Sequence, residues 1–314
     1  MMLITCRQRG VKEVRVVERP TSALDCLVSA SFISVVGEGR GVDPFAFYYD
    51  AARQASVVPP HHAFANMVKV EDLNPFFRRC GFPAYDGRSL LVNEVLLEAK
   101  RLKLLMQAWD AFRRGGPQHT RDLLAELVFA RHFNAHWHYW PPTLFDENDE
   151  SRKSLRLHQE FLETEKRGAQ ARAANHRTKK DLYFALLNAT WGLCAEPLRQ
   201  MEFSPEIEEA QKTKGTSAKH PWPAVMLYWN FRPVQFLGEE ELEHSSIPHE
   251  EPYVAAPYFL MFLLDLTSGG ETHVCADLSC KRVFEVRRRN QLYCNYDCAH
   301  RAAVRSYRRS KGRL

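Results

Sequence analysis

Cys275-Ala276-Asp277-Leu278-Ser279-Cys280, followed after thirteen residues by Cys294-Asn295-Tyr296-Asp297-Cys298, sets the architecture of the C-terminal part of this chain. Two short-spaced cysteine pairs joined by a loop suit a tetrahedral Zn²⁺ site. Each pair aims two thiolates from one tight turn, and the loop folds the second pair back onto the first. Half of the chain's eight cysteines fall within these 24 positions. Four thiolates close the coordination sphere and leave no position for a catalytic water, so the expected ion is one structural Zn²⁺. His273 and His300 flank the cysteines and are the alternative ligands.

Working outward, the next signal is charge. From Cys275 to Leu314 the chain carries eleven Lys and Arg against Asp277, Glu285 and Asp297, a net of +8, whereas the rest of the chain sums to −3. The positive excess therefore sits on the cysteine module, which speaks to partners rather than to fold. Beyond Cys298, Ala299 to Tyr307 contains neither Gly nor Pro and is expected to be helical, capped by Asn295 or Asp297. A helix start there would stabilise the thiolates of Cys294 and Cys298. Arg301, Arg305 and Arg308 then form one stripe, with Val304 and Tyr307 on a face available for packing. The segment Lys281 to Tyr293 is long enough for a short β-hairpin with Phe284 beside the metal. Knuckle, hairpin and ligand-bearing helix make a treble-clef-like finger. Guanidinium groups suit phosphate oxygens and guanine edges, so the candidate nucleic-acid contacts are Arg287, Arg288, Arg289, Arg301, Arg305, Arg308 and Arg309.

Leu264-Asp265-Leu266-Thr267-Ser268-Gly269-Gly270, Cys275-x4-Cys280, Phe284 and Tyr293-Cys294-x3-Cys298-Ala299-His300-Arg301 together resemble the CGNR-type zinc-finger proteins of bacteria. These are regarded as stress-induced transcription regulators with an N-terminal ABATE domain. The resemblance covers about 50 residues. It implies that Cys275, Cys280, Cys294 and Cys298 are the zinc ligands and that Arg301 is the final arginine of the motif. Ala299-His300 stands where the signature has Gly-Asn, and three residues rather than four separate the last pair, which marks a divergent member. Ala63-Phe64-Ala65-Asn66 is faintly similar to the opening of the ABATE region.

The remainder of the 314 residues, 45% hydrophobic overall, reads as a mostly helical body. Val11 to Glu18 and Leu27 to Val36 suggest a pair of strands, and Asp43-Pro44 and Asn74-Pro75 suggest helix starts. Leu91, Val95, Leu102, Leu105, Met106, Trp109 and Phe112 outline an amphipathic helix from Ser89 to Arg114, stopped by Gly115-Gly116-Pro117. Thr120 is placed to cap the next helix. A third helical region begins near Ser154, runs through the basic stretch Lys166 to Lys180 and turns apolar from Leu182 to Leu193. Residues 204–222 read as a surface loop. Glu239 to Glu251 reads as an exposed acidic run whose charge would let it fold over the basic helix. Ser268-Gly269-Gly270 leads into the cysteine module.

Other constellations are weaker. His132, His136 and His138 offer a metal-like spacing among aromatic residues but lack a completing carboxylate, and His61-His62 follows Pro59-Pro60 in what reads as a loop. Asp146 to Glu150 reads as a solvated acidic turn, and Cys6, Cys26, Cys80 and Cys194 as small buried hydrophobes. No P-loop, G-x-G-x-x-G or G-x-S-x-G motif occurs. The N-terminus lacks the apolar core of a secretory signal, and the longest apolar stretch, Tyr253 to Leu264, is too short to span a bilayer.

The expectation is therefore a mainly α (α+β) chain. Residues 1–270 form a helical body with a short N-terminal β element, and residues 271–314 form a treble-clef-like four-cysteine zinc finger with a basic helix. The expected function is zinc-dependent nucleic-acid binding, with DNA ahead of RNA, by a cytoplasmic transcription regulator, without enzymatic activity and without membrane contact. So small a finger needs either a homodimer or a second contact from the body, for which Lys166 to Lys180 is the candidate. The alternative readings are an adaptor whose finger grips a protein, and an enzyme in the body that uses the finger for targeting.

Overall fold

The computed structural model describes residues 3–6, 8–23, 26–54, 57–82, 90–132, 143–144, 149–199, 202–203, 224–228, 255–288 and 290–312. It is mostly helical, with a long antiparallel hairpin at its N-terminal end. Strand β1 (Leu3–Cys6) pairs in parallel with a later strand, while β2 (Gln8–Ala23) and β3 (Cys26–Val42) form the hairpin, registered Val14 to Val35 and Val16 to Ile33. Both strands run well beyond the apolar alternation that marks them in sequence. Val11, Val14 and Ile33 supply the buried face, and Asn74 accepts a hydrogen bond from the Val14 amide at 3.0 Å, locking the hairpin to the helix below it.

Asp43 caps helix α1 (Pro44–Arg53) by accepting from the Phe45 amide at 2.9 Å, as the Asp-Pro start predicts. Pro59-Pro60 opens a short buried helix, α2 (Pro60–Ala65), where the sequence reads as a loop. Helix α3 (Leu73–Cys80) follows; it ends in Cys80, whose thiol burial pushes up to about 12. A two-residue strand, β4 (Leu90–Leu91), leads into α4 (Val92–Arg113). This helix is more than amphipathic: fourteen of its 22 residues are buried, including runs of adjacent positions such as Leu104-Leu105-Met106. It is the axis around which the other elements pack.

Helix α5 (Pro117–His132) starts at Pro117, so Thr120 lies inside the first turns and donates to the Gly116 carbonyl instead of capping. The short strand β5 (Thr143–Leu144) pairs with β3. The third helical region is two helices, α6 (Asp149–Ala174) and α7 (Lys179–Arg199). A reciprocal pair of hydrogen bonds between Thr178 and Asp181 starts the second, closing a Thr-x-x-Asp box. Strands β6 (Glu202–Phe203) and β7 (Ala224–Tyr228) complete the sheet that contains β1.

Helix α8 (Ala256–Ser268) carries Tyr258, Phe259, Met261 and Phe262 into the core and stops at Gly269. Gly269 is left-handed at φ 82°, a conformation that costs glycine little, and its amide and that of Gly270 both return to the Asp265 carbonyl. Strand β8 (Thr272–Val274), strand β9 (Val283–Glu285) and helix α9 (Tyr296–Lys311) form the C-terminal module. No helix among the described residues is long and apolar enough to cross a membrane.

Candidate metal centre and basic helix

The hairpin of the cysteine module is not built inside the Lys281–Tyr293 segment. It pairs β8, which precedes Cys275, with β9, which follows Cys280, so the first cysteine pair occupies the hairpin's turn. The Cys275 amide donates to the Arg282 carbonyl at 2.8 Å, and the Cys280 amide to the Asp277 carbonyl at 2.9 Å. Lys281 then takes the left-handed conformation, φ 48°, that closes the turn. A bond from the Ala276 amide to the Leu292 carbonyl, 2.9 Å, brings the second pair alongside. Asn295, rather than Asp297, caps α9 by accepting from the Cys298 amide at 2.9 Å.

These local devices bring the four sulfurs of Cys275, Cys280, Cys294 and Cys298 within 4.8 Å of one another, and all four are free cysteines. Cys280 and Cys294 lie 3.6 Å apart, and Cys294 and Cys298 3.5 Å. Those separations are far longer than a disulfide. They are close to the roughly 3.8 Å edge of a tetrahedron of sulfurs around an ion at about 2.3 Å. Burial and hydrogen bonding to the other sulfurs push the Cys294 thiol up, and burial also raises Cys298. At Cys280 burial acts upward, but the Arg282 backbone N–H and the neighbouring sulfurs outweigh it and lower the thiol. Four thiolates crowded together repel one another, and a divalent cation among them relieves that repulsion. The donor set therefore fits a metal ion.

The surroundings favour an anionic cluster. Arg301 Nη2 donates to Cys298 Sγ at 3.0 Å. Lys103, from the middle of α4, interacts with Cys280, and burial lowers its ammonium pKa. Such contacts orient and neutralise thiolate ligands. Phe284 packs with Cys275 and Cys298 in a separate small core, as expected for the residue beside the metal.

Asp277 changes the picture of the basic stripe. Its side chain is fully buried (0% exposed) and accepts from the Ser279 amide and hydroxyl, at 3.2 and 2.9 Å, from Arg301 Nε at 2.9 Å, and from Arg305. Arg301 and Arg305 thus turn inward and tie α9 to the knuckle, keeping only 50% and 36% of their side chains exposed. Arg308 and Arg309 stay exposed further along the helix, and Arg288 is exposed on the loop. Arg287 donates to the Val57 carbonyl at 3.1 Å and so holds the module against the body. Arg289 lies outside the described residues. Tyr307, expected to pack, is exposed to water.

The contact between module and body has no counterpart in the sequence reading. Asn66 grips β9 as a neighbouring strand would, donating to the Val283 carbonyl at 2.8 Å and accepting from its amide at 3.0 Å. Asp110 of α4 accepts from the Val274 amide at 3.0 Å. His61 and His62, side by side on α2, are both buried. The Asp265 carboxylate receives the Tyr48 hydroxyl at 2.7 Å and meets His61 Nε2 at 2.8 Å, and His62 Nε2 meets the Thr272 hydroxyl at 3.2 Å. His61 Nδ1 has no hydrogen-bond partner among the described residues. Burial, then the neighbouring His61 and Arg287, hold His62 well below the ordinary histidine range, so its ring is neutral. The ligand atoms of His61, His62 and Asp265 also lie within 4.8 Å of one another, but their bonds are directed at joining α1, α2, α8 and β8. The sequence signal for this junction is Asn66, a polar residue that closes the Ala63-Phe64-Ala65 segment.

His136 and His138 lie outside the described residues, as do residues 204–222 and the acidic run 239–251; for His132 only the backbone is described. The basic residues within Lys166 to Lys180 are exposed on α6, on the turn after it and at the start of α7. Compared with known proteins, the chain matches no family model, no curated protein and no solved structure.

Proposed function

We propose that Cys275, Cys280, Cys294 and Cys298 hold one structural Zn²⁺ in a treble-clef-like finger, and that the finger presents a basic helix to nucleic acid as part of a transcription regulator. The observation that carries this reading is the convergence of four free sulfurs beneath the start of α9, within the module that carries the chain's positive excess. Bound zinc supplies a cross-link, which a module with so small a core of its own needs in order to hold its shape. Arg308, Arg309 and Lys311 on α9, together with Lys281, Arg282 and Arg288 ahead of it, are exposed cations available to phosphates once Arg301 and Arg305 are committed to Asp277. DNA is the preferred partner, in keeping with the resemblance of the cysteine segment to CGNR-type fingers.

The test is a salt titration of duplex DNA, single strands and RNA with zinc-loaded and chelated protein. Arg308→Glu with Arg309→Glu is expected to weaken binding and flatten the salt dependence, each lost phosphate contact removing about 0.7–0.9 from the log–log slope. Unchanged binding by this double variant would discard the reading. A protein-gripping finger is the second reading, favoured by Leu278 and Leu292, which are 65% and 49% exposed on the module. It predicts no retention of nucleic acid at moderate salt.

A further inference from the structure

Helix α9 has two faces of different chemistry. Cys298 and Arg305 point into the module, and Arg301 beside them closes on Asp277. On the opposite side, at steps of four, seven and four residues, stand Tyr296, His300, Tyr307 and Lys311, which at 3.6 residues per turn form one stripe. Tyr296 is 80% exposed and Tyr307 61% exposed, and His300 is exposed between them. The Tyr296 and His300 rings lie nearly parallel, 11° apart with centroids at 6.2 Å, as a stacked pair. Lys311 places its ammonium 5.5 Å from the centre of the Tyr307 ring.

These rings contribute nothing to the small core of Cys275, Phe284 and Cys298. An aromatic side chain on water forgoes a large apolar area, and an aromatic stripe beside cations is the pattern that stacks bases while holding their phosphates. Arg308 and Lys311 supply those cations at the C-terminal end of the stripe, whereas Asp297 stands beside Tyr296 and directs phosphates away from that end. A duplex keeps the faces of its bases stacked inside. An unpaired strand leaves them open.

We infer that the outer face of α9 takes a single-stranded nucleic acid, with one base on the Tyr296–His300 pair, another on Tyr307, and the intervening backbone drawn toward Arg308 and Lys311. This rests on the nucleic-acid reading above and narrows it from nucleic acid in general to unpaired strands. Charge alone would not distinguish these from a duplex.

The experiment is fluorescence anisotropy with the full zinc-loaded chain, using a short oligothymidylate, its RNA counterpart and a DNA duplex at several salt concentrations. The single strands are expected to bind more tightly than the duplex. Tyr296→Ala should weaken single-strand binding roughly fivefold to 150-fold, the loss of one stacked base, with little change in salt slope. Tyr296→Phe should restore it. Tyr307→Ala should act in the same direction. Zinc content and the thermal melt of each variant show that the finger is intact. If both tyrosine variants bind single strands like the parent while Arg308→Glu with Arg309→Glu abolishes binding, the stacking inference falls and the charge-based reading survives. If no nucleic acid binds at low salt, both fall. If the tyrosines instead prove necessary for a protein complex, the stripe is a protein contact and the inference is overturned.

Discussion

Helices α4 and α9 are both rich in Lys and Arg, yet they are held in opposite ways. In α4 fourteen residues are buried, and its buried Arg101 is satisfied by the Ala130 carbonyl and Glu98. In α9 only Cys298 is buried, and the helix is retained by Cys298 in its first turn, by Cys294 just before it, by the Asn295 cap and by Asp277 reaching back to Arg301 and Arg305. The first helix is stabilised by the apolar area it removes from water. The second is positioned by a few directional bonds, which leaves most of its surface free for a partner. A cysteine cluster and a buried carboxylate fix α9 where a core fixes α4.

The sharpest way to break this comparison is to remove the zinc that the four cysteines are proposed to hold. Chelation, or Cys294→Ser, is expected to unfold the finger with α9 while the body keeps its cooperative melt, because structural zinc contributes on the order of 10 kcal/mol to such modules. Leu105→Ala should do the reverse, costing the body about 2–5 kcal/mol while the proposed zinc content is unchanged. Circular dichroism melts with parallel metal analysis separate the two. A chelated protein that retained the α9 helical signal would show that the cysteines do not hold it.

A smaller effect is expected from Asp277→Asn. It removes the carboxylate charge that draws Arg301 and Arg305 inward, so the finger should lose stability. Both guanidinium groups then become available to a polyanion, and the salt slope of nucleic-acid binding should steepen by about 1.4–1.8, two further phosphate contacts. An unchanged slope would mean that the two arginines already reach phosphates from their present positions.

The smallest effect concerns the junction. His62 is neutral in the fold because its pKa is depressed, whereas in the unfolded chain it titrates near 6.5. The unfolded state therefore binds the extra proton first, and stability falls as pH drops below about 6.5, by up to about 1.4 kcal/mol per pH unit. His62→Gln should remove this part of the acid sensitivity. Denaturant midpoints measured between neutral and mildly acidic pH would reveal it, and an identical pH slope in the variant would refute it.

Much of the framework was readable from local chemistry. The α1 start at Asp43-Pro44, the extent of α4, the Asn295 cap and the helix stop at Gly269 follow from bonds made within a few residues. The Thr178-x-x-Asp181 box is a local signal too, and it divides what the composition alone presents as one helical region into α6 and α7. Others carried no such signal. The full burial of α4 depends on neighbours arriving from α5, α7 and β8, and the knuckle lies between β8 and β9 because β8 pairs across it.

The sequence by itself determined that four cysteines would form two pairs beside a basic helix, because ligand spacing, cap and helix propensity act over short distances. Only the tertiary structure decided which cations on that helix remain free. Asp277 lies 24 residues before Arg301 and 28 before Arg305, and its buried carboxylate captures both once the hairpin turn and α9 are folded together. It also decided that Asn66, 217 residues from Val283, would complete the edge of the finger's hairpin. Burial makes an unpaired charge or amide costly, and which groups meet to relieve that cost is a property of the assembled fold.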